Sequence, residues 1–217
     1  MLGGSLIGLG LIVVSGLVPA PSAADSAAQI AAFYRDNADA VRVGLLLAMI
    51  GASLMFPFLV LIMLQLKRSD PRLAPLAYTQ LVAGATFMLA FLIPILIWGA
   101  AAFRPERAPG STQLLNDTAS TIFYWAFAPG TVECAAMGIA VLMDRSENPI
   151  FPRWVGYLDL LTAIAYAGGA PALFVKTGAF GWDGVFALWI PLVGFSAWLG
   201  ATFFCSLRAA GPAREPA

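Results

Sequence analysis

Six apolar runs separated by short polar stretches organise the chain: 2–18, 43–66, 76–102, 118–143, 153–175 and 185–207. An α-helix rises ~1.5 Å per residue, so runs of this length approach or exceed the ~30 Å of a bilayer's hydrocarbon core. The pattern predicts an all-α fold, a polytopic transmembrane bundle of about six helices forming a single integral membrane domain over 1–217. Between the first two runs, Ser26-Ala-Ala-Gln29 has the capping-box form. Ile30, Phe33 and Tyr34 then recur at helical spacing beside Arg35, Asp36, Asn37 and Asp39. A short amphipathic helix over 26–37 is expected there, lying at the membrane surface or over the mouth of the bundle.

Breakers punctuate the runs. Pro57, Pro94, Pro129 and Pro191 fall inside four of them. Each removes a backbone donor and predicts a kink whose freed carbonyl needs a partner. The segment 103–117, with Pro109-Gly110, reads as a loop, and Ser111 or Asn116 reads as the cap of the fourth helix. Pro152 suits the first turn of the fifth helix, with Arg153 and Trp154 at headgroup level.

Composition narrows the possible functions. Of 217 residues, 60% are hydrophobic and 11% charged, against about 25% charged in soluble domains. Net charge is zero, so no basic field points to nucleic acid. Histidine is absent, which removes the usual ligand of haem and zinc sites; no metal and no cofactor are expected. Cys134 and Cys205 lie in separate apolar runs without redox spacing and read as packing residues. With six crossings, lysine and arginine number seven on the side of loops 67–72, 144–153 and the C-terminus, against five on the other. The positive-inside rule then places both termini in the cytoplasm.

The candidate chemistry centres on Glu133, a single carboxyl near the middle of the fourth run. An ionised side chain at that depth is expensive and needs a partner or water. Ala126, Pro129, Gly130, Met137 and Ala140 share its helical face, and their small size admits a neighbouring helix or a ligand. On the fifth run Gly156, Asp159, Thr162 and Tyr166 form a second stripe at steps of three and four. Helical rise puts Asp159, Gln80 and Glu133 at similar depth, which predicts a carboxyl-carboxyl or carboxyl-amide cluster with at least one acid neutral.

Ile30-Ala-Ala-Phe-Tyr-Arg35, Ala77-Tyr-Thr-Gln-Leu-Val-Ala-Gly84, Phe103-Arg-Pro-Glu-Arg107, Gln113-Leu-Leu-Asn-Asp117, Phe151-Pro-Arg-Trp-Val-Gly-Tyr157 and Lys176-Thr-Gly-x-Phe180 together carry a resemblance. The chain resembles an uncharacterised family of small, about six-pass bacterial membrane proteins with FPRWVGY and KTGxF motifs. The resemblance covers nearly the whole chain and implies the topology and a bacterial inner-membrane location, without an activity. It also implies that relatives often have an amide in place of Asp159 or Asp183, which speaks against a catalytic carboxylate at either position.

Three classes of function follow. In the first, a polar pocket in the cytoplasmic half binds, and in one version converts, a hydrophobic small molecule such as a lipid or isoprenoid. Glu133 would be the acid, Asp159 or Tyr166 the base or orienting group, and Gln80, Trp125, Pro129, Gly130, Thr162 and Trp189 the binding residues. Phe123, Tyr124, Phe127 and Trp198 would add aromatic faces able to stabilise a developing cation. Such an enzyme would be a metal-free isomerase or cyclase. In the second class, Glu133 is the protonation site of a small proton-coupled transporter; six crossings are few for that task, so a homo-oligomer is expected. In the third, Glu133 is a hydrogen-bond donor holding helices together in a structural or accessory subunit of a membrane complex.

Overall fold

The computed structural model describes residues 1–210, which are helical throughout the bundle and contain no strand. Helix α1 (Leu2–Gly8) runs into a π-helical turn at Leu9–Val14; α2 spans Ala27–Asp36, α3 Ala38–Ser69 and α4 Ala74–Phe103. Helices α5 (Pro109–Trp125) and α6 (Phe127–Met143) follow almost end to end. Then come α7 (Arg153–Ala167) and α8 (Ile190–Ala210), the latter entered through a π-helical turn at Val185–Trp189. Four helical units, Ala38–Ser69, Pro71–Phe103, Pro109–Met143 and Val185–Ala209, are long and apolar enough to cross a membrane.

The first and fifth runs make shorter helices than their hydrophobicity predicts. The first ends at Val14, beyond which Gly16 adopts a φ of +62° that suits glycine, and Pro19 follows. Helix α7 has 15 residues, about 22 Å of rise. It stops at Gly168, and only a 3-10 turn at Ala170–Leu173 continues it. Gly168-Gly169 weakens the helix and Pro171 removes a backbone donor, so the apolar run to 175 is not one helix.

The fourth run, by contrast, begins early. Helix α5 starts at Pro109, inside the expected loop, and neither Ser111 nor Asn116 caps it. Proline costs nothing in a first turn, where the missing N–H would have had no helical partner. Thr112, Asn116 and Ser120 then form a buried polar stripe at steps of four. The Tyr34 hydroxyl donates to Asn116 Oδ1 at 3.0 Å, docking α2 on this stripe. Ser26 and Gln29 close the expected capping box at the start of α2. The loop before α2 is held by the Ala20 N–H, which donates to the Tyr124 hydroxyl at 3.1 Å.

Pro57 and Pro94 sit inside continuous helices. Pro129 and Pro191 instead fall in the first turns of α6 and α8, one just after a break at Ala126 (φ −76°, ψ 40°) and the other just after the π-helical turn. Elsewhere, helices approach where glycine leaves room. A Cβ at Gly51 would stand 2.6 Å from the Gly3 carbonyl oxygen, so α1 and α3 meet backbone to backbone. Polar ties are few: Arg42 donates from Nε and Nη2 to the Ala102 carbonyl at 3.2 and 2.9 Å, satisfying the last turn of α4. Near the opposite end of the bundle the Ser206 hydroxyl donates to Gln65 Oε1 at 2.8 Å, joining α8 to α3.

Candidate functional site

Glu133 lies in the second turn of α6 and is 2% exposed. Its carboxyl rests on α4, where a Cβ at Gly84 would stand 2.6 Å from Oε1 and 2.8 Å from Cδ. One helical turn from Gly84, Gln80 presents its buried amide to the same carboxyl without closing a hydrogen bond to it. On α7, Asp159 packs its Cβ 3.1 Å from where a Cβ of Gly138 would stand, within electrostatic reach of Glu133. Thr162 lies one turn further along α7 and packs against Gly194 of α8. Three helices thus bring Gln80, Glu133 and Asp159 into one buried neighbourhood, with Thr162 one turn along at the α7–α8 contact.

No lysine or arginine among the described residues contributes to the surroundings of either acid. Glu133 Oε1, both Asp159 oxygens, both polar atoms of Gln80 and Thr162 Oγ1 also find no hydrogen-bond partner among the described residues. The groups facing this cluster are Cys134 of α6, Tyr166 of α7 and Cys205 of α8. A buried carboxyl without a counter-charge holds a proton or takes a cation, since the bare ion is too costly in this medium.

A cavity of about 380 Å³ opens beside this cluster, walled mainly by apolar and aromatic side chains. Its wall includes Phe87, Phe91, Phe123, Tyr124, Phe127 and Phe195, and it is completed by α1 and α8. Tyr166 is the link between the two regions. It lines the cavity, lies within electrostatic reach of Glu133 and Asp159, and sets its ring 5.2 Å from that of Phe87. Both rings press on Gly130, where a Cβ would stand 3.0 Å from each.

Neither Glu133 nor Asp159 lines the cavity, so the expected acid at the pocket wall is replaced by an acid one layer behind it. Trp125 and Trp189 are each 45% exposed and lie off the cavity wall; Trp125 donates its Nε1 to the Ala170 carbonyl at 3.3 Å. Pro129 is half-buried in the first turn of α6 and also stands off the wall. Trp198 is buried and stacks on Phe195 at 5.8 Å. Sequence reasoning missed Phe87, Phe91 and Phe195. The four-residue step from Phe87 to Phe91 was the available signal, masked in a helix that is apolar on every face. No protein-family model, no curated protein and no solved structure matches the chain.

Proposed function

We propose that this is a multi-pass protein of the bacterial inner membrane that holds a hydrophobic small molecule, a lipid or an isoprenoid, inside its bundle. The aromatic cavity walled by Phe87, Phe123 and Tyr166 carries this reading. Its size and apolar lining suit a ligand pocket, with few polar groups to orient the guest. Counting α1 and α7 as membrane-embedded gives six segments with both termini in the cytoplasm, a reading supported by the excess of lysine and arginine on that side. A C-terminal reporter fusion and an N-terminal epitope test it.

Conversion of the guest, by isomerisation or cyclisation, would need acid to reach the cavity. Tyr166 is the group positioned to pass a proton, with Glu133 and Asp159 behind it. The unpartnered acid cluster favours a second reading, a small proton-coupled carrier working as a homo-oligomer, in which the same acids bind and release the coupling ion.

Gly8 and Gly200 line the cavity, and a Cβ at either would meet nothing within 4 Å. Gly8→Phe and Gly200→Phe should therefore be admitted without moving the backbone and should narrow the cavity. Native mass spectrometry and lipid extraction of the purified protein should show a hydrophobic guest in the parent chain, lost from both variants. An empty parent bundle, or a guest retained by both filled variants, overturns the cavity reading.

A further inference from the structure

The unpartnered oxygens among α4, α6, α7 and α8 have a chemistry of their own. Glu133 Oε1, Asp159 Oδ1 and Oδ2, Gln80 Oε1 and Thr162 Oγ1 make five oxygens without a hydrogen-bond partner among the described residues. The four side chains are between 0% and 2% exposed. Buried polar atoms are nearly always satisfied, so five such oxygens in one neighbourhood call for a shared guest. The fixed donors of the group, Gln80 Nε2 and Thr162 Oγ1, meet no acceptor among the described residues either.

We propose that Gln80, Glu133, Asp159 and Thr162 form an intramembrane site for a small monovalent cation, with sodium as the hard, oxygen-seeking candidate and hydronium as its competitor. Hard cations take oxygen ligands, and calcium requires six to eight of them, more than these five. One ionised carboxyl balances the single charge of the ion, and the other keeps a proton and donates a hydrogen bond. Gln80 adds a neutral polar group to the two acids: it is fully buried, it faces Glu133, and neither of its polar atoms closes a hydrogen bond of good geometry among the described residues. The titratable groups facing the site from the packed helices are Cys134, Tyr166 and Cys205, and none supplies a competing positive charge. The inference rests on the acid cluster and does not need the apolar cavity to hold a guest.

The test uses the full chain in detergent or lipid nanodiscs. Unfolding temperature is followed by intrinsic tryptophan fluorescence while sodium chloride replaces choline chloride at constant ionic strength. Binding of radioactive sodium is measured in parallel at pH 6 and pH 8. A saturable rise of ~3–5 °C is expected at about ten times the dissociation constant. Apparent affinity should fall up to tenfold for each unit of acidification once protons compete. Binding should be lost when Asp159→Asn and Glu133→Gln are combined, which leaves no ionised carboxyl, and weakened about tenfold in Thr162→Val, which keeps the shape and drops one hydroxyl. Gly200→Phe should bind sodium normally, which separates failure of the cavity from failure of this site. Equal stability in sodium and choline with no bound radioactive sodium overturns the proposal, and the parent chain alone decides that point. Binding that survives in the double variant of Asp159→Asn and Glu133→Gln, or stabilisation by calcium alone, overturns it too.

Discussion

The carboxyl of Glu133 occupies the space that a side chain at Gly84 would need, with Oε1 2.6 Å from the missing Cβ. A small residue on α4 therefore sets where the acid of α6 sits. In Gly84→Ala the atoms in the way are Glu133 Oε1 and Cδ and Leu59 Cδ2, all at the far ends of flexible side chains. The bundle should absorb the methyl at a cost of about 1 kcal/mol or less, because alanine also favours the helix. The carboxyl itself must move. Glu133→Ala in the same chain should remove the two closest of these contacts and leave only Leu59 Cδ2, so a double-mutant cycle on unfolding free energy should show coupling between positions 84 and 133. Additive effects would mean that the contact is not made.

Gly138 should be less forgiving. A Cβ there would stand 2.8 Å from the Gly156 carbonyl oxygen, 3.0 Å from Leu160 Cγ and 3.1 Å from Asp159 Cβ. The nearest of these is backbone, so α6 and α7 must separate to admit a methyl. Gly138→Ala should cost about 1–3 kcal/mol, clearly more than Gly84→Ala. It should also shift Asp159 relative to Glu133. Reversible unfolding in mixed detergent ranks the two variants, and equal stability would refute the distinction between backbone and side-chain obstruction.

These contacts mark how far the sequence could be read. The neighbourhood of Gln80, Glu133 and Asp159 was legible because helical rise fixes depth, and similar depths on adjacent helices allow contact. The capping box of Ser26 and Gln29 was legible because its signal is local. The aromatic cavity was not. Phe87 and Phe91 lie on a helix apolar all round, where composition gives no sign of which face meets α1 and α8. The start of α5 was hidden because Pro109-Gly110 has the form of a turn, although proline is equally at home in a first helical turn. The early end of α7 was hidden for the opposite reason: Gly168, Gly169 and Ala170 continue an apolar run, yet the helix stops at the glycine pair and Pro171 lies in the 3-10 turn beyond.

Asp70 gives a pH dependence whose sign is fixed. Its carboxylate accepts hydrogen bonds from Arg72 Nε at 3.0 Å and Nη2 at 2.8 Å, and from the Arg72 backbone N–H at 3.0 Å. These bonds, with the guanidinium charge, hold the carboxyl below its ordinary value. A depressed acid stabilises the folded turn fully above the unfolded value of ~3.9, and the benefit is lost as pH falls through the lower folded value. Backbone amide exchange at Arg72 and Leu73 should therefore be steady, after correction for intrinsic rates, from pH 7 to about 5. Below about 4 it should accelerate. Asp70→Asn should raise exchange at neutral pH and flatten the acid-dependent change; a parent-like profile in that variant would remove Asp70 from the account.

The bond from Tyr34 to Asn116 predicts how the amphipathic helix is held. Both side chains are fully buried, and Asn116 Oδ1 receives the phenol at 3.0 Å. Tyr34→Phe keeps the ring and its edge contact with Phe33, 5.4 Å away, but leaves the Asn116 oxygen without that donor. Leaving a buried acceptor unsatisfied costs about 1–3 kcal/mol, more than the net value of the bond itself. The loss should be local, because α2 packs chiefly on α5, and the α3–α4 and α6–α7 pairs do not depend on it. Hydrogen exchange should show α2 opening more often in Tyr34→Phe while α4 and α6 keep their protection. Asn116→Leu combined with Tyr34→Phe replaces both polar partners with apolar ones, so it should recover part of the loss. If exchange rises equally across the bundle in Tyr34→Phe, α2 is not a separately docked element and the bond supports the whole fold instead.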